Sequence, residues 1–210
     1  MANTSKIRGF IPVKHVTGAP YNGQANIYAT SAADGTAIFV GDPVKITSDG
    51  NAHGIQIVNK ATAGAAILGI CVGVINSKLD PVAGTMTSGS IALDTPQYRV
   101  ASTAQYILVA DSPDLLFEVE AATGANAAYS FSVGDIGLNA DLTTVAGSTT
   151  TGTSAAALDM STKAVTATLQ FKIMGVVQRP DNEITGNYTK VLVKFNNAQL
   201  GSGTGTLGIA

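Results

Sequence analysis

The strongest constraint on the fold is a pattern that occurs twice. Val40-Gly41-Asp42-Pro43 is followed by the apolar run Ala66 to Ile75, and Val133-Gly134-Asp135-Ile136 is followed by Leu169 to Val177. Each run is rich in β-branched residues and carries a glycine after Ile-Leu or Ile-Met, at Gly69 and Gly175. Such side chains are stiff at χ1 and fit the pleated surface of a strand. The pattern predicts two related β units, about 27–75 and 131–195, each opening at a Val-Gly-Asp turn.

The rest of the chain reads the same way. No segment holds a helical period over a dozen residues; short alternating runs separated by Gly, Pro and Asp turns predict a mainly β protein, barrel- or sandwich-like. Asn26–Thr30, Val44–Thr47 and His53–Val58 read as strands. Ser112-Pro113-Asp114 fits a turn between two strands and predicts a hairpin over 105–120, inserted between the two units. Ala-rich residues 121–130 suit a short helix. Val165–Ile173 shows the cleanest period-two alternation. In Tyr188–Phe195, Thr189, Val191, Val193 and Phe195 point inward, with Lys190 and Lys194 outward. Residues 76–96 look like a loop. The predicted organisation is an extended N-terminal arm (1–26), a β domain (27–195) and a flexible, Gly/Thr-rich tail (196–210) carrying two apolar residues, Leu207 and Ile209.

Composition narrows the function. Charged residues make up 12% of the chain, about half of the ~25% usual in soluble domains. Sparse charge suits a surface buried against partners, because charges are depleted from interface cores. The net charge of −2 and the lack of a Lys/Arg cluster leave no electrostatic footprint for nucleic acid. No apolar run is long enough to span a bilayer as a helix, and the first residues lack the apolar segment of a secretory signal. Cys71, the single cysteine, sits in an apolar run where a thiolate is disfavoured.

Searches for catalytic groups return structural residues. His15 and His53 are the two histidines, and Asp42, Asp49 and His53 follow no metal-ligand spacing. Gly203-Thr204-Gly205-Thr206-Leu207-Gly208 spells a dinucleotide fingerprint, but lacks the following helix that would hold a pyrophosphate. Asp94, Asp111, Asp114, Glu118 and Glu120 could hide a glycosidase pair, yet the chain has no Trp to form a sugar platform. The reading is a protein that is not an enzyme and holds no cofactor or metal.

Two stretches stand out as partner contacts. Phe10-Ile11-Pro12-Val13, with Tyr21 beyond it, is an apolar hook with no nearby partner strand, and such segments can add a strand to a neighbour's sheet. Ser148-Thr149-Thr150-Thr151 forms the tip of an uncharged loop, Ala146–Ser154, predicted to be a long exposed excursion.

The segments GFIPVKHVTGAPYNG (9–23), VGDPVKI (40–46), YILVADSPDLLFEVE (106–120), IGLN (136–139), GSTTTG (147–152) and GVVQRPDNEI (175–184) resemble the capsid decoration, or cement, proteins of tailed bacteriophages. That resemblance implies a β-barrel-type structural protein on the outer surface of the head, made in the host bacterial cytoplasm and bridging major capsid protein subunits. It carries over no catalytic residues. A lattice-binding role further predicts a homo-oligomer, a trimer ahead of a dimer, because joined sites gain avidity. The alternatives are another virion component, such as a tail, fibre or shell protein, and a carbohydrate-binding β module.

Overall fold

The computed structural model describes residues 3–75, 79–80, 85–86, 96–201, 205 and 208, with backbone alone at 48, 49, 79, 80, 85 and 86. Most of the 76–96 loop, Asp94, and the tail residues Leu207 and Ile209 lie outside the described residues. The strands are β1 (Ile11–His15), β2 (Asn26–Ala29), β3 (Pro43–Gly50), β4 (Gln56–Lys60), β5 (Gly69–Ile75), β6 (Leu79–Asp80), β7 (Thr85–Met86) and β8 (Tyr106–Ala110). They continue as β9 (Leu115–Thr123), β10 (Ala127–Ala128), β11 (Ser130–Phe131), β12 (Asn139–Leu142), β13 (Leu158–Ala164), β14 (Phe171–Val176), β15 (Gly186–Asn187) and β16 (Lys190–Phe195). Among the described residues the one helical segment is a 3-10 turn at Val133–Asp135. The protein is mainly β.

The strands close into two barrels with the same connectivity. In the first, β2 runs parallel to β4, β4 antiparallel to β3, β3 to β5, β5 to β8, and β8 back to β2. In the second, β9 runs parallel to β13, β13 antiparallel to β12, β12 to β14, β14 to β16, and β16 back to β9. Strand for strand, β2, β3, β4, β5 and β8 correspond to β9, β12, β13, β14 and β16. The repeated units therefore run from Asn26 to Ala110 and from Leu115 to Phe195, wider than the turn-to-strand pattern alone marks out. Closure leaves no long unpaired edge within either ring.

The Val-Gly-Asp turns occupy equivalent places and do equivalent work. Asp42 N–H donates to the Phe39 carbonyl (3.0 Å) and Asp135 N–H to the Ser132 carbonyl (3.0 Å). Each carboxylate accepts the N–H of the residue three before it, Phe39 or Ser132, at 2.9 Å. Each also receives a lysine from the end of the third strand of its unit, Lys60 at 3.1 Å and Lys163 at 2.5 Å. An Asp at this position ties the turn, the entering chain and a neighbouring strand together, which is why the motif recurs.

Two cores result. Tyr28, Ile38, Val44, Val58, Leu68, Cys71, Ile107 and Val109 fill the first barrel. Phe117, Leu142, Leu158, Phe171, Ile173, Val191, Val193 and Phe195 belong to the larger core of the second, which Ala61, Ile67 and Ile70 join from the outside of the first. A barrel of eight strands is just wide enough to be filled by side chains; with five, each interior is solid. Gln170, fully buried, crosses the seam: its amide donates to the Thr62 and Ala65 carbonyls (2.8 and 2.7 Å), and its carbonyl accepts Leu142 N–H at 3.1 Å.

Several local expectations change. The hairpin over 105–120 does not form: β8 closes the first barrel and β9 begins the second, so Ser112–Asp114 is the inter-barrel joint. Residues 121–130 are strand and turn rather than helix, because β9 continues through Thr123 and β10 folds back on it. Val165–Gln170 is the turn between β13 and β14 despite its alternation, and Val165 is exposed. Lys190 is buried, held by an ion pair described below.

Candidate interaction surface

The solid barrel interiors direct attention to the outside, beginning with the N-terminal arm. The arm lies extended along its own second barrel. Asn3 donates to the Glu183 carbonyl (3.1 Å) and receives Glu183 N–H. The buried Glu120 carboxylate accepts Ser5 Oγ and Lys6 N–H, both at 2.8 Å, and pairs with Lys190 Nζ at 3.4 Å. Lys190 in turn donates to the Thr4 and Tyr188 carbonyls at 2.6 and 3.0 Å. A buried ion pair is favourable only when its remaining hydrogen-bonding capacity is met; here the arm backbone meets it.

Farther along, the arm crosses the first barrel at two glycines. Gly9 (φ 76°) and Gly41 (φ 95°) approach so closely that a Cβ on Gly9 would sit 2.5 Å from the Gly41 carbonyl oxygen, and one on Gly41 would sit 2.5 Å from that of Arg8. Phe10 N–H then donates to the Gly41 carbonyl (2.9 Å). The Phe10 ring is 1% exposed and stacks on Phe171 with centroids 4.4 Å apart. Ile11–His15 forms β1, antiparallel to β9 from Glu118 to Leu115, with a register shift between Pro12 and Lys14. Pro12 thus occupies an edge strand beside an irregularity, where a missing N–H is tolerated.

The residues singled out from sequence therefore separate. Phe10 belongs to the protein's own core and offers nothing to an outside partner. Ile11 (39% exposed), Val13 (38%) and nearby Val16 present an apolar outer strip. Pro12 is half-buried between them. Tyr21 is half-buried; its N–H returns to the Val13 carbonyl (3.0 Å) and its hydroxyl donates to the Gln24 carbonyl (3.0 Å), so it braces the turn after β1. Ser148–Thr151 forms an exposed turn, but the excursion is short: Gly152, Thr153 and Ser154 run beside Val40, and Ser154 Oγ donates to Asp42 at 2.5 Å. The arm hook and the Thr turn are separate features, each anchored to the barrels.

A groove of about 520 Å³ lies beside the arm, lined by residues that include Lys6, Arg8, Ile11, Glu118, Arg179 and Asp181. Arg179 makes a two-pronged pair with Glu118 (3.0 and 2.8 Å) and reaches Asp181 at 3.3 Å. Sequence reading missed this groove because its cations come from residues 6–8 and 179–190, too dispersed to register as a cluster.

The candidate chemical groups are engaged elsewhere. Cys71 is fully buried and burial pushes its thiol up to about 12. Asp42 is committed to Lys60 and Ser154, while His53 is exposed in a turn with its N–H on Asn51. Asp111 accepts Asn26 and Tyr28, and burial, then Asp111, raises the Tyr28 pKa. Arg99, fully buried, donates to the carbonyls of Thr103, Thr36 and Ser31 and pins the loop before β3. Among the described residues no three His, Cys, Asp or Glu side chains are grouped to hold a metal, and no helix is long and apolar enough to cross a membrane. No family model matches the chain, and neither a curated protein nor a solved structure matches it.

Proposed function

We propose that this protein is a structural component of a tailed-bacteriophage virion, a decoration protein that binds the outer surface of the head and bridges neighbouring major capsid protein subunits. The resemblance in the arm, the turns and the strand segments motivates the reading. The observation that carries it is the duplication: one chain presents two barrels of identical connectivity, joined across a buried seam. Such an object suits a lattice of repeated subunits, where two similar faces can engage two similar sites and each contact need only be weak. The sparse charge leaves a Thr-, Ser- and Asn-rich exterior compatible with broad burial. In this reading the protein acts without catalysis, as a homo-oligomer and with a trimer favoured.

The test is electron cryomicroscopy of phage particles with and without the gene for this chain. The expected result is density over the hexagonal and pentagonal faces of the head that disappears in the deletion. Difference density confined to the tail or to one vertex would assign the protein to another part of the virion and overturn the proposal.

A further inference from the structure

The groove beside the arm carries two exposed cations, Lys6 and Arg8, that no ion pair among the described residues accounts for. Lys6, Arg8, Arg179 and Lys190 line it, against Glu118 and Asp181 in the lining and Glu120 buried behind Lys190, which leaves positive charge in excess on a chain whose net charge is −2. Two of the cations are spoken for. Arg179 is held by Glu118 and Asp181, and Lys190 by Glu120 and two carbonyls. Lys6 and Arg8 are exposed and take part in no ion pair among the described residues.

We infer that this groove binds an extended acidic polypeptide segment of a partner, with carboxylates at alternate positions facing Lys6 and Arg8. Three observations fit that ligand. Lys6 and Arg8 are two residues apart and line the same groove; in an extended partner, side chains at i and i+2 share a face about 7 Å apart. The backbone that carries them is fixed on both sides, by Glu120 on Lys6 N–H and by the close approach of the Arg8 carbonyl to Gly41, so little freedom is lost on binding. Ile11, half-exposed on the groove wall, supplies an apolar contact that a polypeptide can use and an inorganic anion cannot. The inference does not depend on the capsid reading, since any partner with such a segment would serve.

The experiment uses the full chain and a fluorescein-labelled peptide, Glu-Val-Glu-Val-Glu-Val, followed by fluorescence anisotropy at low ionic strength, where surface charges are least screened. Saturable binding is expected, weakened at least about tenfold by the Lys6→Gln/Arg8→Gln double variant. A Lys14→Gln/Lys45→Gln variant removes the same charge elsewhere and should bind as the parent does. Circular dichroism of both variants verifies that the fold is retained. Lack of saturable binding, equal weakening by the two variants, or equal affinity for Gln-Val-Gln-Val-Gln-Val would overturn the inference. So would displacement by inorganic phosphate at concentrations matching the peptide, which makes the groove a general anion site. Self-association that the Lys6→Gln/Arg8→Gln variant abolishes would assign the groove to a second copy instead.

Discussion

Replacing Phe10 with alanine tests whether the N-terminal arm is part of the folded core. The ring is 1% exposed and lies flat on Phe171 at 4.4 Å, with an interplanar angle of 17°. Burying such a side chain contributes about 1.5–3 kcal/mol, and an aromatic stack adds about 0.5–1.5. The cavity left behind raises the cost further, so a loss of about 3–5 kcal/mol is expected. For a chain of this size each kcal/mol lowers the melting temperature by about 2–4 °C. The Phe10→Ala protein should therefore melt roughly 10 °C lower, with urea midpoints shifting in proportion. Ile11→Ala, at the exposed first position of β1, should cost under about 1 kcal/mol. A Phe10→Ala variant as stable as the parent would refute the reasoning and return the hook to the outside of the molecule.

Four further outcomes follow from the geometry. Gly41→Ala places a methyl against the Arg8 carbonyl at a φ of 95° and should destabilise by about 2 kcal/mol or more, read by urea denaturation. Gln170→Ala removes the side-chain donor of the Ala65 carbonyl, one of two donors to the Thr62 carbonyl and the acceptor of Leu142 N–H at the seam and should cost about 2–3 kcal/mol; a loss under about 0.5 kcal/mol would mean that the seam is held by packing alone. Cys71 should resist a disulfide reagent at pH 8 until the protein is unfolded, since burial pushes its thiol to about 12. Asp141 has its pKa raised, chiefly by burial, with Asp159 adding to it. A carboxyl with a raised folded-state pKa penalises the fold when ionised and is relieved as pH falls through that value. Asp141→Asn should therefore melt higher than the parent at pH 7, with the gap closing as the pH is lowered; a variant less stable at every pH contradicts this.

What the sequence makes legible depends on how local the cause is. The Val-Gly-Asp turns are readable because their stabilising bonds run to residues three positions away, Phe39 and Ser132. The irregularity in the Ala66–Ile75 run falls at one of its glycines, where the β5–β8 register shifts between Cys71 and Gly73. Strand partners are another matter. Ser112-Pro113-Asp114 has the chemistry of a hairpin turn, yet β8 and β9 are drawn apart because each completes a different barrel. The alternation of Val165, Ala167 and Leu169 places none of these side chains in a core, since Asn196 and Gly208 bond to the backbone of this turn and hold it as a loop. Phe10 reads as an exposed hook only because its socket, Phe171, lies 161 positions away in sequence. Lys190 looks like a surface lysine until Glu120 and the arm enclose it, and the acidic-peptide groove exists only once residues 4–11 are laid beside 179–190.

The most direct test of the central claim is a binding isotherm. Purified protein is titrated onto phage heads assembled without it, and the bound amount is measured by co-sedimentation and quantitative gel densitometry. The account predicts saturation at a fixed number of copies per head, in proportion to the number of major capsid protein subunits, together with greater resistance of the decorated heads to heat or chelator. Heads that pellet without the protein, or that take up only the few copies a single vertex can hold, would contradict it.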